Sequence, residues 1–282
     1  MRSVKVYQEA WPLHSPFVIA RGSRSEAVVV VVELEEDGVR AVGECTPYPR
    51  YGESVASVMA QIMTVVPQLE AGLDRAGLQK LLPAGAPGGG GGRVARLLKI
   101  KLDDTFITER MVAIRGAVPE ATLIVDANES WHAEGLAARC QLLADLGVQM
   151  LEQPLPASDD RALENFIHPL PICADESCHT RGSLKTLAGR YEMINIKLDK
   201  TGGLTEALAL ARQATEDGFG LMLGCMLCTS RAIGAALPLI PQMRFTDLDG
   251  PTWLAVDVEP PLRFTPGQLY LHSDVGPQLS SS

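Results

Sequence analysis

The chain has 282 residues, 46% of them hydrophobic and only 5% aromatic, enough apolar material for a sizeable core in one large domain or two smaller ones. Its net charge of −9, with 25 Lys and Arg against 34 Asp and Glu and no basic run, argues against a nucleic-acid partner and for a small molecule. The longest apolar run, residues 27–32, is far too short to cross a bilayer, and the first residues lack the apolar segment of a signal peptide, so a cytoplasmic protein with no membrane partner is expected.

In chain order, residues 28–34 and 39–43 alternate as strands around Asp37-Gly38 and predict a β-hairpin. Residues 54–73 predict a helix. Residues 83–93, Pro-Ala-Gly-Ala-Pro followed by five glycines and Arg93, cannot offset the entropy of regular structure and read as a linker. From residue 97 the pattern changes. Short apolar runs at 97–102, 122–127, 150–153, 171–175, 193–198, 220–224 and 244–248 alternate with amphipathic stretches such as 107–118, 133–146 and 204–217. That alternation predicts parallel βα units. The division expected is a capping domain over 1–82, completed by 253–282, a glycine-rich linker over 83–96, and a (β/α) barrel over 97–252. Six cysteines lie in apolar contexts and read as reduced structural thiols; Cys225 and Cys228 form a CxxC with no second pair to complete a zinc site.

Asp126, Glu152, Asp175, Lys197, Gly224 and Asp247 follow one another at intervals of 22 to 27 residues, each at or near the C-terminal end of its apolar run. In a (β/α) barrel the active site is built at that end. A doubly wound open sheet would also give βα repeats, but its first strand should lead into a glycine-rich phosphate turn, and none is present.

Taken alone, each acid reads as a helix cap or a solvated carboxylate. Three at successive strand ends would repel one another unless a cation compensates. Oxygen ligands with no histidine nearby favour magnesium or manganese over zinc. Lys99 and Lys101, at i and i+2 in one strand, point to the same face. Their mutual repulsion is expected to lower each from about 10.4 toward the range of a usable base. Lys197 and Asp199 repeat that spacing two strands after Glu152.

Together these segments resemble the muconate-lactonizing subgroup of the enolase superfamily: Lys99-x-Lys101, Val125-Asp126-Ala127-Asn128-Glu129-Ser130-Trp131, Leu151-Glu152-Gln153-Pro154, Ala174-Asp175-Glu176-Ser177 and Asn195-Ile196-Lys197-Leu198-Asp199-Lys200-Thr201-Gly202-Gly203. The match runs in order from about residue 97 to 254. The resemblance implies an α/β fold, a modified TIM-type (β/α) barrel with an α+β capping domain. It implies Asp126, Glu152 and Asp175 as ligands of Mg2+ (or Mn2+), with Lys101 and Lys197 as acid/base groups on opposite faces of the substrate. Lys99 would tune Lys101 and help hold an enediolate. The segment 224–230 followed by Asp247-Leu248-Asp249-Gly250-Pro251 resembles the bacterial L-Ala-D/L-Glu epimerases. There, Asp247 and Asp249 would bind the free ammonium group of a dipeptide, and Arg21 or Arg24 its side-chain carboxylate. The implied reaction is epimerisation of such dipeptides in murein peptide recycling.

One feature departs from that pattern. Only 16 residues separate Leu82 from Lys99 where the resemblance calls for about fifty more, so six or seven βα units are expected rather than eight. The alternatives are a muconate cycloisomerase, an o-succinylbenzoate synthase or an N-acylamino-acid racemase, or a metal- or dipeptide-binding protein inactivated by the deletion. A Schiff-base aldolase would leave the three acids unexplained. The sequence leaves oligomeric state open, a homo-oligomer included.

Overall fold

In the computed structural model, which describes residues 2–19, 22–81, 97–265 and 268–270, the chain opens with an antiparallel sheet. Its strands β1 (Arg2–Ile19), β2 (Gly22–Glu36) and β3 (Val39–Cys45) lie in the order β1-β2-β3. The expected hairpin is β2–β3, closed at Glu36 opposite Val39. Asp37 at φ 52 and Gly38 at φ 82 make the left-handed pair that a two-residue turn between twisted strands requires. Val29, Val30 and Val31 are all fully buried, so both faces of β2 are covered.

Helix α1 (Val55–Met63) starts at Ser54, whose side chain accepts from the Ser57 amide at 3.1 Å. The single helix expected over 54–73 is in fact two. Pro67 has no N–H to continue the hydrogen-bond ladder, so α1 stops and α2 (Val66–Glu70) restarts with the proline in its first turn. Helix α3 (Arg75–Leu81) ends the described part of the cap; the glycine-rich stretch 83–96 lies outside the described residues.

All seven apolar runs form strands: β4 (Leu97–Lys101), β5 (Thr122–Asp126), β6 (Val148–Glu152), β7 (Ile172–Ala174), β8 (Met193–Ile196), β9 (Gly220–Leu223) and β10 (Phe245–Thr246). They make one parallel sheet in sequence order. Between and after them run α4 (Ile107–Ala117), α5 (Leu136–Asp145), α6 (Leu184–Leu187), α7 (Leu198–Thr201), α8 (Leu204–Glu216) and α9 (Ser230–Ala236). Helix α5 begins at Leu136 rather than at 133, because Gly135 sits outside it at φ 76. A last hairpin pairs β11 (Arg263–Thr265) with β12 (Gln268–Tyr270).

The sheet curls into a barrel. In a flat sheet β4 and β10 would stand about 29 Å apart at ~4.8 Å per strand; instead Lys99 Nζ lies 3.0 Å from Asp247 Oδ2, just past β10. One residue from each strand fills the lumen: Leu97, Ile124, Met150, Cys173, Met193, Met222 and Phe245. Their neighbours, among them Val125, Leu151, Ile172, Ile194 and Leu223, point outward into a larger core shared with the helices. Among the described residues β4 and β10 are the two ends of the sheet, with no ladder between them. Leu98, Phe106 and Val112, beside the β4 edge, are 42%, 74% and 52% exposed. This is the apolar surface that one further βα unit would cover, so the fold is a TIM-type barrel short of one unit.

Burial decides how much a side chain contributes to stability. Replacing fully buried Leu151 with alanine is expected to lower the unfolding free energy by about 2–5 kcal/mol. The same change at Ile167, 94% exposed, should shift it by no more than about 0.5 kcal/mol. Urea unfolding followed by circular dichroism measures both, and equal effects would contradict the assignment of Leu151 to the core.

Candidate active site

Alternation along the strands puts chemistry directly above the lumen. Two residues beyond Leu97, Ile124, Met150, Cys173, Met193 and Phe245 stand Lys99, Asp126, Glu152, Asp175, Asn195 and Asp247. On β9 the equivalent position is Gly224, where a Cβ would come within 2.7 Å of the Asn195 amide, so only glycine leaves Asn195 its place.

The three acids predicted as ligands converge. Asp126, Glu152 and Asp175 are 1%, 0% and 1% exposed. Lys99 Nζ sits among acids, 3.0 Å from Asp126 Oδ2, 2.8 Å from Glu152 Oε2 and 3.0 Å from Asp247 Oδ2. Lys101, on the same face, donates to Asp126 Oδ2 at 2.6 Å. Lys197 approaches from β8 and donates to Asp175 Oδ2 at 2.6 Å.

Burial pushes the Asp126 carboxyl up, but Lys101 and Lys99 outweigh it and hold it far below the ordinary range. Asp175 is likewise raised by burial and then carried well below its usual value by Lys197, Lys200 and Lys99. Glu152 is pushed up, by burial and then by Asp126. The lysines behave otherwise than the sequence suggested. Burial draws the Lys99 ammonium down, but Asp126, Glu152 and Asp247 outweigh it, and its pKa stands well above normal. Lys197 is raised in the same way, with Asp175 overcoming burial. The expected depression of Lys99 left out the acids that face it.

Two positioning residues went unread in the sequence. Lys200, fully buried on α7, donates to the carbonyls of Asp175 at 2.6 Å and Asn195 at 2.7 Å and lies 2.7 Å from Asp175 Oδ1. The i, i+3 spacing of Lys197 and Lys200 was the available signal. Gln153, at φ 34, accepts from the Asp175 and Ser177 amides at 2.9 and 3.1 Å and donates to Leu155 O, Ser177 Oγ and Tyr191 OH. It thereby fixes the turn that carries Asp175.

The donor set suits a hard divalent cation: three carboxylates and the Asn195 amide oxygen, with no sulfur or imidazole among them. In this arrangement ammonium groups occupy the space between the acids, and among the described residues no three acidic, histidine or cysteine side chains stand together at ligating distance. Yet Asn195 Oδ1 is a buried acceptor with no hydrogen bond, while Glu152 Oε2 and Asp175 Oδ1 are met by the Lys99 and Lys200 ammonium groups at 2.8 and 2.7 Å. Buried oxygens of this kind call for positive charge.

Over the acids lies a cavity of about 390 Å³, lined by Lys99, Lys101, Lys197, Asp247, Asp249 and Arg24 among others. Asp249 accepts from Trp253 Nε1 at 3.1 Å, and burial, followed by Asp247, raises its carboxyl. The Arg24 guanidinium stacks 4.9 Å from the Tyr48 ring centre. Arg21 lies outside the described residues. Every other residue predicted for the site lies on this cavity or directly beneath it.

Comparison with known proteins agrees with this geometry. The family described as Enolase C-terminal domain-like matches residues 92–277, and the Mandelate racemase / muconate lactonizing enzyme N-terminal domain matches residues 1–88. The L-Ala-D/L-Glu epimerase of Escherichia coli (strain K12) is 67% identical over 321 residues, covering 96% of this chain and 100% of that protein. That alignment is longer than the chain's 282 residues, so part of the relative has no counterpart here. A solved enolase family member from Agrobacterium tumefaciens with homology to dipeptide epimerases, with bound sodium and L-Ala-L-Glu, superposes at TM-score 0.87 with 35% identity, covering 96% of this chain and 98% of that one. The dipeptide epimerase from Enterococcus faecalis V583, complexed with Mg and L-Leu-L-Tyr, superposes at 0.81 with 26% identity over 90% and 92% of the two chains.

A neighbouring acid gives the site a pH signature. Asp199, 3% exposed beside Lys197 and Lys200, accepts from the Thr46 amide at 2.8 Å, and burial pushes its carboxyl up from 3.8 to about 7. The folded value exceeds the unfolded one, so the folded state keeps this proton longer and stability falls as pH rises from about 4 to about 7. Asp199→Asn retains an acceptor for Thr46 and removes that loss. Its advantage over the parent should grow across this interval to on the order of 4 kcal/mol at most, then level off. Urea titrations at pH 4, 5.5, 7 and 8 measure the difference; parallel curves would show that Asp199 does not titrate in this way.

Proposed function

The chain belongs to the mandelate racemase / muconate lactonizing enzyme family of the enolase fold and is an isomerase, and from that premise we propose that it is a magnesium-dependent epimerase of L-Ala-D/L-Glu dipeptides. The observation that carries this reading is the placement of Lys101 and Lys197. Both line one cavity, one anchored to Asp126 and the other to Asp175 at 2.6 Å, so two amines flank a single buried acid cluster.

The proton α to a carboxylate is very weakly acidic, and the enediolate formed on its removal needs positive charge in a water-poor site. Asp126, Glu152 and Asp175 are assigned to hold Mg2+ (or Mn2+), which when bound supplies Lewis-acid stabilisation of that charge. Lys99, whose ammonium stands within 3.0 Å of Asp126, Glu152 and Asp247, holds the carboxylate end of the substrate. Lys101 removes the α-proton from one face and Lys197 delivers a proton to the other, with the roles exchanged in the reverse direction. Asp247 and Asp249 accept the dipeptide's free ammonium group, and Arg24, with Arg21, pairs with the side-chain carboxylate. In this reading residues 1–82 and 253–282 form the substrate-selecting cap, 83–96 link it to the barrel, and 97–252 carry the chemistry. The substrate suits cytoplasmic murein peptide recycling.

Incubation with L-Ala-L-Glu and magnesium in deuterium oxide tests the assignment. Deuterium should enter at the glutamate α-carbon as L-Ala-D-Glu accumulates, and a chelator should stop both until magnesium is restored. Lys101→Ala and Lys197→Ala should each lower epimerisation by roughly 10²–10⁴-fold, each keeping exchange from one epimer only. A folded, magnesium-loaded sample that leaves this dipeptide untouched while isomerising another acid would remove the assignment.

A further inference from the structure

Glu129 takes no part in the site described above, yet it is one of the points at which the barrel grips the cap. It follows Asn128 in the turn after β5, and both are non-glycine residues at positive φ, 45 and 66. Such backbone costs on the order of 1 kcal/mol or more per residue and persists where surroundings enforce it. Here the enforcement is visible. The Glu129 amide donates to Gln153 O at 2.9 Å. Its side chain, 7% exposed, accepts from the Ala157 amide at 2.8 Å and takes a two-pronged contact from Arg50, with Nε to Oε2 at 2.9 Å and Nη2 to Oε1 at 2.7 Å. A planar guanidinium gripped at two points has little rotational freedom left.

Arg50 belongs to the short turn Pro49–Tyr51 of the cap, which forms one wall of the cavity. On one side of Arg50, the Tyr51 ring meets His179 edge-on at 4.6 Å. On the other, the Tyr48 ring is the surface on which Arg24 stacks. A chain of contacts therefore runs from Glu129 through Arg50 and Tyr48 to Arg24. Glu129 does not line the cavity, and no residue in this chain reaches the three acids.

We infer that Glu129 is a specificity-determining positioning residue: by clamping Arg50 it sets the wall that aims Arg24 at the substrate's distal carboxylate. This rests on the proposed dipeptide epimerase activity. Breaking the clamp leaves the lysines and acids in place, so it weakens capture of the distal carboxylate rather than proton transfer.

Glu129→Gln keeps the side chain's size and an acceptor for Ala157 while removing the charge that holds Arg50. Steady-state kinetics should show KM for L-Ala-L-Glu rising about tenfold with kcat within about threefold, and KM for L-Ala-L-Ala, which lacks the distal carboxylate, changing less than about threefold. Arg50→Lys, which keeps the charge but loses the fork, should shift the two dipeptides in the same unequal way, and it supplies the test if Glu129→Gln does not fold. Equal losses on both dipeptides, a change in kcat alone, or no change would overturn the inference while leaving the activity standing. If the parent protein turns over neither dipeptide, the proposed function falls and the clamp's role goes with it.

Discussion

Everything at the barrel mouth depends on one electrostatic constraint: Asp126, Glu152 and Asp175, each at most 1% exposed, must be matched by positive charge within the same small volume. Leaving even one buried charge unpaired costs several kcal/mol. The chain meets this with lysines reaching in from β4 and β8 and with Lys200 from α7 beneath them. The balance is reciprocal. The acids that lysines hold ionised are the ones that hold Lys99 and Lys197 charged, so neither set can be read alone. An acid committed to another cation is withdrawn from its lysine. Burial, which opposes the ammonium form, then has less to overcome, and the amine moves toward the neutral state a base requires.

This constraint explains why so much was legible in the sequence. A strand in a small barrel alternates between lumen and helix layer, so an apolar residue two positions before a charged one reports both burial and direction. Met150 before Glu152 and Ile124 before Asp126 are such pairs, and the seven apolar runs that contain them and their like mark all seven strands. The barrel's curl, which brings Lys99 to Asp247, follows from the same count of strands. What escaped was non-periodic or relational. Pro67 splits a helix that hydrophobic pattern alone would continue. The direction of the lysine shifts depends on four facing acids drawn from separate strands. Gln153 and Lys200 act on backbone groups, and no side-chain pattern announces a hydrogen bond to a carbonyl.

The seam between β4 and β10 shows which parts of the fold the chemistry needs. A strand pair there would give a ladder of hydrogen bonds, and among the described residues its lack leaves two edges. The lumen is nonetheless continuous, because Leu97 packs against the cluster that includes Phe245, and the Lys99–Asp247 pair spans the seam at the mouth. Stability is lost mainly outside, where Leu98, Phe106 and Val112 face solvent. The residues assigned to catalysis all lie on strands that are present or in the loops that follow them.

The cap meets the barrel through contacts of a different kind. Ala27 packs against Leu227 and Leu254, with Trp11, Phe17 and Trp253 around them. Polar bonds also cross between them: Thr46 to Asp199, Thr229 to Glu44, and Arg50 to Glu129. Apolar burial is non-directional, so by itself it sets orientation less sharply than hydrogen bonds do. Three such bonds pin β3 and the turn that follows it against barrel loops. The barrel thus carries two jobs on one set of loops. In the proposed reading the strand ends hold charge for proton transfer, and residues just beyond them, Glu129 among them, set where the cap's arginine stands. Because the two jobs fall to different side chains, one can change without disturbing the other.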